Sequence, residues 1–332
     1  MGFLLSLFFG FVPMFAFAYL IYWLDRYEKE PNLLLGGVFI WGALVASGGA
    51  FLINTALGIG VYLFTGSEAA TELTTGSLIA PFVEESLKGF AVLIVFLLFR
   101  KEFDSLLDGI VYAAVVALGF AATENTYYIY TYGFNAEGIP GLLFLAFVRV
   151  VLVGWQHPFY TAFTGIGLAS ARLLRSPALR LLAPVLGWTI AVIAHSLHNT
   201  LASFFPGPGG LVFGAIWDWT GWSFMFLFIL WAIYRDQQAI LRHLKEEVDL
   251  GLITAIQYRT ACSAWAQSAA RVGALLSGRY PSTNRFYQLC AELAHKKEQL
   301  LRLGEEGDNA RLVESLRLEI GSLSPLIYPP LT

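Results

Sequence analysis

The stretch GSLIAPFVEESLKGFAVLIVFLLF, Gly76–Phe99, decides how the rest of the chain is read. It is long and apolar enough to span a membrane, since a helix covers the hydrocarbon core with about 20 apolar residues. Yet Glu84, Glu85 and Lys88 stand inside it. Ionisable side chains at membrane depth are costly, and they face a bundle interior or a watery cavity rather than lipid. The stretch therefore predicts an all-α bundle of membrane helices with a polar interior.

The composition agrees. Of 332 residues, 57% are hydrophobic and only 14% charged, against about 25% charged in soluble domains. A net charge of −3 gives no case for a nucleic-acid partner. Residues 1–234 hold 9 Lys+Arg and 13 Asp+Glu, while residues 235–332 hold 12 and 11. This predicts a membrane domain over 1–234 and a water-soluble tail over 235–332. The first apolar run, Gly2–Leu24, has no basic leader and no small-residue cleavage site, so it is expected to be a retained span. Cys262 and Cys290 both lie in the tail, and a cytosolic tail would keep them as thiols.

Seven runs qualify as spans, roughly 2–24, 33–64, 76–99, 106–131, 141–172, 179–204 and 210–234. In the fifth, Pro158 suggests a kink or break. Basic residues alternate between loops. Arg26 and Lys29, then Arg100 and Lys101, then Arg172, Arg175 and Arg180 follow every second span, while loops 65–75, 132–140 and 205–209 have none. The positive-inside rule then puts the N-terminus outside and the tail in the cytoplasm. Apolar periodicity predicts tail helices near 237–249, 254–275, 284–303 and 309–322, separated by Gly251, Pro281 and GEEGDN at 304–309. No catalytic motif stands in the tail, which reads as a regulatory or docking module. His243 and His295 are expected to be solvated among charged neighbours.

Depth sorts the intramembrane polar residues. Glu84 lies 16 residues from Arg100, Glu124 16 from Asp108, His157 15 from Arg172 and His195 15 from Arg180. At 1.5 Å per residue all four fall about 22–24 Å above the inner face, in the outer half of a core about 30 Å thick. Local spacing adds detail. Glu84 and Lys88 are i,i+4 and can pair, and Glu85 is i,i+3 from Lys88. His195 and Asn199 share a helix face, with His198 between them.

A structural reading competes at each position. A Glu–Lys pair can be a structural ion pair, and His or Asn can tie helices together. Asp108 near the inner boundary, and Asp218 between Trp217 and Trp219, read as structural. Arg149 reads as the neutraliser of a buried carboxylate. What sets Glu84, Glu85, Glu124, His157, His195 and Asn199 apart is convergence on one layer from several spans.

A buried carboxylate can take a proton from water, and His or Asn can donate hydrogen bonds to a developing oxyanion. The set thus fits water attack on a carbonyl such as a peptide bond. No GxSxG, HExxH or CxxC motif occurs. A dispersed zinc site of two His with Glu is also open, since zinc needs three protein ligands and a water.

Four short motifs carry a resemblance. EESLK (Glu84–Lys88), FAATEN (Phe120–Asn125), HPFYT (His157–Thr161) and HSLHN (His195–Asn199), with DRYEKEP (Asp25–Pro31) ahead of them, are similar in kind and order to those of PrsW-type intramembrane proteases. The resemblance covers roughly residues 15–204. It places the chain beside the CAAX prenyl proteases and bacteriocin-processing enzymes, whose EExxxR, FxxxH and HxxxN patterns it modifies: the lysine comes one position early, and Glu124 stands where that wider group has histidine.

The resemblance implies that Glu84 activates water, that Glu85 and Lys88 tune or orient it, and that Glu124 holds the water. It implies an oxyanion site at His195 and Asn199, with His157 catalytic or orienting. It favours a metal-free, glutamate-activated water. If a metal is present, zinc on Glu84, Glu124, His157 and His195 is the alternative. It further implies a multi-pass protein of the bacterial cytoplasmic membrane, in contact with lipid, that cuts a membrane-tethered protein near the outer face. The expected substrate class is a single-span anti-sigma factor. Two other functions compete: a proton-coupled transporter using the same relay, although no internal repeat supports it, and a non-catalytic scaffold with a docking tail.

Overall fold

The computed structural model describes residues 1–25, 27, 29–205, 208–304 and 308–327. Arg26 and Glu28 of DRYEKEP, residues 206 and 207 of the 205–209 loop, and residues 305–307 of GEEGDN therefore lie outside the described residues. The chain is all-α and forms two compact units, Met1–Leu24 with Glu30–Phe228, and Asp25–Lys29 with Ile229–Thr332.

The first unit is a helical bundle. Helix α1 (Gly2–Leu24) is followed by α2 (Asn32–Ile40), a π-helical turn (Trp41–Ala46) and α3 (Ser47–Thr65). Short α4 (Glu68–Thr74) leads through a second π turn (Thr75–Ile79) into α5 (Ala80–Leu98). Helix α6 (Leu106–Tyr128) continues through a π turn (Ile129–Phe134), α7 (Asn135–Ala146) and another π turn (Phe147–Leu152). Helices α8 (Gln156–Leu173) and α9 (Pro177–Phe204) follow, then α10 (Pro208–His243), which belongs to this unit as far as Phe228 and to the second from Ile229.

Helix α6 is the centre of this unit. It is buried on every face from Leu107 to Ala122 and packs against α1, α2, α5 and α8. Its small residues explain how. A Cβ on Gly109 would sit 2.2 Å from the Gly165 carbonyl oxygen of α8, and a Cβ on Gly119 would sit 2.0 Å from that of Phe39 in α2. Backbones therefore touch at both crossings, the close approach that small residues permit in membrane bundles. Helix α6 starts on a reciprocal cap, with Ser105 and Asp108 each binding the other's backbone, which gives Asp108 the structural role expected of it.

The outer surface is apolar, with Leu4, Leu33, Phe64 and Leu181 largely exposed, while Glu84, Glu85, Lys88, His157, His195 and Asp218 are buried. That inversion suits hydrocarbon as solvent. Five helical stretches among the described residues are long and apolar enough to cross a membrane: Gly2–Leu24, Asn32–Thr65, Leu106–Leu173, Pro177–Phe204 and Gly209–Asp249. Helix α5 is not among them because three charges interrupt it, and the stretch Leu106–Leu173 holds the runs at 106–131 and 141–172, parted at Gly138, whose φ of 66° and ψ of −144° are not helical. Within the second of these runs the break falls at Val153–Trp155, not at Pro158. Pro158 sits in the first turn of α8, where a missing N–H leaves no helical bond unmade.

In the second unit, α11 (Lys245–Asp249), α12 (Ala255–Ala261), α13 (Ala264–Leu276), α14 (Tyr280–Leu303) and α15 (Asn309–Leu323) enclose a core around Ile240, Leu244, Phe286, Tyr287, Leu289 and Ile320. The single helix expected over 254–275 is two, because Ser263 caps the start of α13. Glu247 is buried and held by Lys297 at 2.6 Å and Arg317 at 3.0 Å. His295 is buried rather than solvated.

Candidate active site

Helix α5 presents Glu84, Glu85 and Lys88 to the interior of the first unit, where α6, α8 and α9 meet it. The Glu85 carboxylate is fully engaged. Its Oε1 accepts from Lys88 Nζ and from His195 Nδ1 at 3.0 Å, and its Oε2 accepts from Thr161 Oγ1 at 2.8 Å. Lysine 88 thus pairs with Glu85 at i,i+3 rather than with Glu84 at i,i+4. Its ammonium also lies 3.3 Å from His157 Nδ1 and 4.5 Å over the Phe120 ring.

These contacts assign the histidine protons. An ammonium can only donate, so His157 Nδ1 accepts from Lys88, and His157 Nε2 donates to Glu124 Oε2 at 2.9 Å. His195 donates Nδ1–H to Glu85, which leaves the Nε2 lone pair facing Glu84 Oε2 across 3.9 Å. That Glu84 oxygen is buried and has no hydrogen-bond partner among the described residues.

Glu124, part-exposed, is clasped by Arg149, whose Nε also donates to Asn125 Oδ1 at 2.8 Å and whose guanidinium lies 4.4 Å over Tyr128. Arg149 is thus the neutraliser anticipated for a buried carboxylate. Of the four residues named for a metal, Glu84, His157 and His195 each offer one donor atom, and the three atoms lie within 4.8 Å of one another. Glu124 is not part of that trio.

Asn199 takes a different place. Its Nδ2 donates to the Gly76 carbonyl oxygen at 2.8 Å. The π turn at Thr75–Ile79 alters the helical bonding there, and Asn199 ties α9 to it. The π turn at Trp41–Ala46 behaves alike, with the Ala43 carbonyl accepting from Ser47 and Thr123 hydroxyls. That bond uses one of the two N–H donors of the Asn199 amide.

Two side chains of the site, Thr161 and Tyr160, carried no role in the sequence, and Asp218 only a structural one. Thr161 anchors Glu85, and it stands one turn after His157, a spacing from which it was recoverable. Tyr160 stacks on His195, with ring centroids 4.8 Å apart and planes at 21°, and its hydroxyl donates to Asp218 Oδ1 at 2.6 Å. Asp218 is wholly buried, with Oδ2 3.0 Å from His198 Nδ1. Its tryptophan neighbours pointed to an interface and gave no sign of this.

With this geometry in view, the comparisons are informative. Residues 30–233 match the model of a family described as PrsW family intramembrane metalloprotease. "Protease PrsW" of Bacillus subtilis (strain 168) is 27% identical over 223 residues, covering 67% of this chain and 88% of that protein. "Protease PrsW" of Geobacillus kaustophilus (strain HTA426) is 29% identical over 163 residues, covering 49% and 65%, and that of Clostridioides difficile (strain 630) 37% over 108 residues, covering 32% and 43%. No solved structure matches the chain. The family's description as a metalloprotease lends no support to the metal-free glutamate scheme preferred from the sequence, and it favours the metal-dependent alternative.

Proposed function

The chain belongs to the PrsW family of intramembrane proteases, and from that premise we propose that it is a zinc-dependent endopeptidase with Glu84, His157 and His195 as the metal-holding residues. The observation that carries the reading is the trio of converging donors, one of which, Glu84 Oε2, is buried without a partner. Glu84 Oε2 and His195 Nε2 lie 3.9 Å apart, wider than the roughly 3.3 Å between two donors of a tetrahedral zinc site, so an ion held there would draw the two side chains together. Glu85 completes the case. A metal-binding histidine almost always gives its other N–H to a carboxylate or carbonyl, which fixes ring and tautomer, and His195 does so to Glu85. At His157, either Lys88 or Glu124 would yield its ring nitrogen to the ion.

Bound zinc supplies a Lewis acid that makes water nucleophilic near neutral pH. The residues supply the rest. Glu124 lines the adjoining cavity and takes the proton of the attacking water. Arg149, itself held by Asn125, keeps that carboxylate in orientation. Lys88, buried beside His157, is the cation nearest the metal-binding residues, and Glu85 keeps its charge compensated.

The substrate is a protein, and the family resemblance indicates a membrane-tethered anti-sigma factor cut near the outer face. The alternating basic loops support seven spans, an outside N-terminus and a cytoplasmic tail over 235–332, with 1–234 as the catalytic domain. The test is metal content and cleavage measured together on purified protein. The wild type should carry about one zinc, lose cleavage of a single-span reporter to a strong chelator and regain it with zinc. Full cleavage by metal-free protein would refute the zinc reading and restore the glutamate scheme.

A further inference from the structure

In the second unit, helix α13 (Ala264–Leu276) is turned inside out for a helix bathed in water. Its buried face carries Gln267, Ala270 and Ala274, of which Ala270 joins the core. Its bulky apolar side chains point outward: Trp265 is 84% exposed, Val272 60%, Leu275 64% and Leu276 87%. At about 100° per residue, Trp265, Val272 and Leu276 share one stripe, with Leu275 at its edge. A helix on a water-soluble domain buries such a stripe and shows its small and polar residues to solvent. A contiguous exposed apolar stripe marks a surface that something other than water covers.

Charge singles out the same segment. Residues 250–291 contain no Asp or Glu, but they hold Arg259, Arg271, Arg279 and Arg285. The rest of the tail, 235–249 and 292–332, holds 8 Lys+Arg and all 11 acidic residues. Arg285 is committed to Glu319 at 2.8 Å. Arg259 and Arg279 are exposed, one on each side of α13 in the sequence.

Continuity of the chain supplies the partner. The second unit takes up α10 at Ile229, inside Gly209–Asp249, which is long and apolar enough to cross a membrane. Trp231 and Tyr234 are exposed there and Arg235 follows, the aromatic and basic order of a span leaving hydrocarbon. The unit is thus tied to a membrane surface by its own first helix. Contact with lipid is intramolecular, so a short amphipathic helix suffices for it. A second copy fits less well, because two-fold pairing would set one acid-free, arginine-bearing surface against another.

We infer that α13 lies on the anionic lipid surface of the membrane that α10 crosses. Trp265, Val272, Leu275 and Leu276 sink about 5–10 Å into the boundary of headgroups and acyl chains, and the acid-free stretch is drawn to lipid phosphate. The inference rests on α10 crossing the membrane and is independent of the chemistry at Glu84.

The test uses the full-length protein in nanodiscs, both faces of which are open to solvent. Leu276→Cys, or Ser315→Cys at an exposed position of α15, carries an environment-sensitive fluorophore, while the buried Cys262 and Cys290 stay unlabelled. In phosphatidylcholine discs containing phosphatidylglycerol, lipid with a nitroxide near the headgroup should quench the label at 276 severalfold and leave that at 315 unchanged. High salt, or discs of phosphatidylcholine alone, should weaken the quenching. Trp265→Ser combined with Leu275→Ser should lower the ratio of inserted to free α13 about tenfold or more. Helicity and unfolding temperature should hold, because both side chains are exposed.

A label at 276 open to aqueous iodide and unquenched by lipid would overturn the inference. So would equal quenching with and without phosphatidylglycerol, or equal quenching at 276 and 315. A label at 276 shielded from iodide yet unquenched by lipid would overturn it in favour of a protein partner on the same face.

Discussion

The adjacent carboxylates Glu84 and Glu85 should respond in opposite ways to the same substitution. Glu85 is wholly buried and satisfies Lys88, His195 and Thr161 at once. Glu85→Gln leaves the Lys88 ammonium uncompensated in the interior. Removing one partner of a buried pair costs about 3–5 kcal/mol, a large share of the roughly 5–15 kcal/mol that keeps a protein folded. Glu84 Oε2 has no partner to lose. An unpaired buried carboxylate is itself unfavourable, so with both proteins metal-free Glu84→Gln should leave stability unchanged or raise it. In function the order reverses, because Glu84→Gln removes a proposed metal-holding oxygen and should abolish zinc retention and cleavage outright. Glu85→Gln should weaken zinc binding by about 10–100-fold through loss of its hold on His195. Thermal unfolding in detergent, read by circular dichroism beside zinc content, separates the two. Equal destabilisation by both variants, or a Glu85→Gln protein as stable as wild type, would refute the division of labour.

Three further outcomes follow from the geometry. Tyr160→Phe strips a hydrogen bond from the buried Asp218 carboxylate and should cost about 1.5–3 kcal/mol in unfolding measurements, with a fall in cleavage because Tyr160 also packs the His195 ring. Gly165→Ala puts a Cβ 1.9 Å from the Gly109 carbonyl oxygen. The α6–α8 crossing must then open, so unfolding should come at least about 1–3 kcal/mol sooner, and zinc should be held more weakly as His157, on α8, shifts from Glu84 and His195. Burial pushes the Cys262 thiol up to about 11, and Cys290 is pushed up as well by the same cause. Both should resist maleimide at neutral pH until the protein is denatured, which mass spectrometry can follow.

Much of this protein was legible in one dimension. Charges inside apolar runs are costly, so Glu84, Glu124, His157 and His195 stood out in the sequence. Helical rise is constant, so counting residues put them at one depth before any helix was placed. Helix class and an apolar exterior follow from the same arithmetic. Periodicity, however, fixes only an angle on a residue's own helix. It allowed Lys88 to meet either Glu84 or Glu85, and the positions of α8 and α9, through Thr161 and His195, decided for Glu85 as the satisfied partner.

Asp218 shows the limit more sharply. Its neighbours Trp217 and Trp219 signalled an interface, while its burial depends on Tyr160 and His198 reaching it from other helices. The break at Val153–Trp155 and the π turns at Trp41–Ala46 and Thr75–Ile79 likewise left no mark in the residue pattern. Local chemistry therefore determined which side chains must hide from lipid. The rotation and crossing of the helices, set by backbone contacts such as Gly109 on Gly165, decided which of those side chains touch.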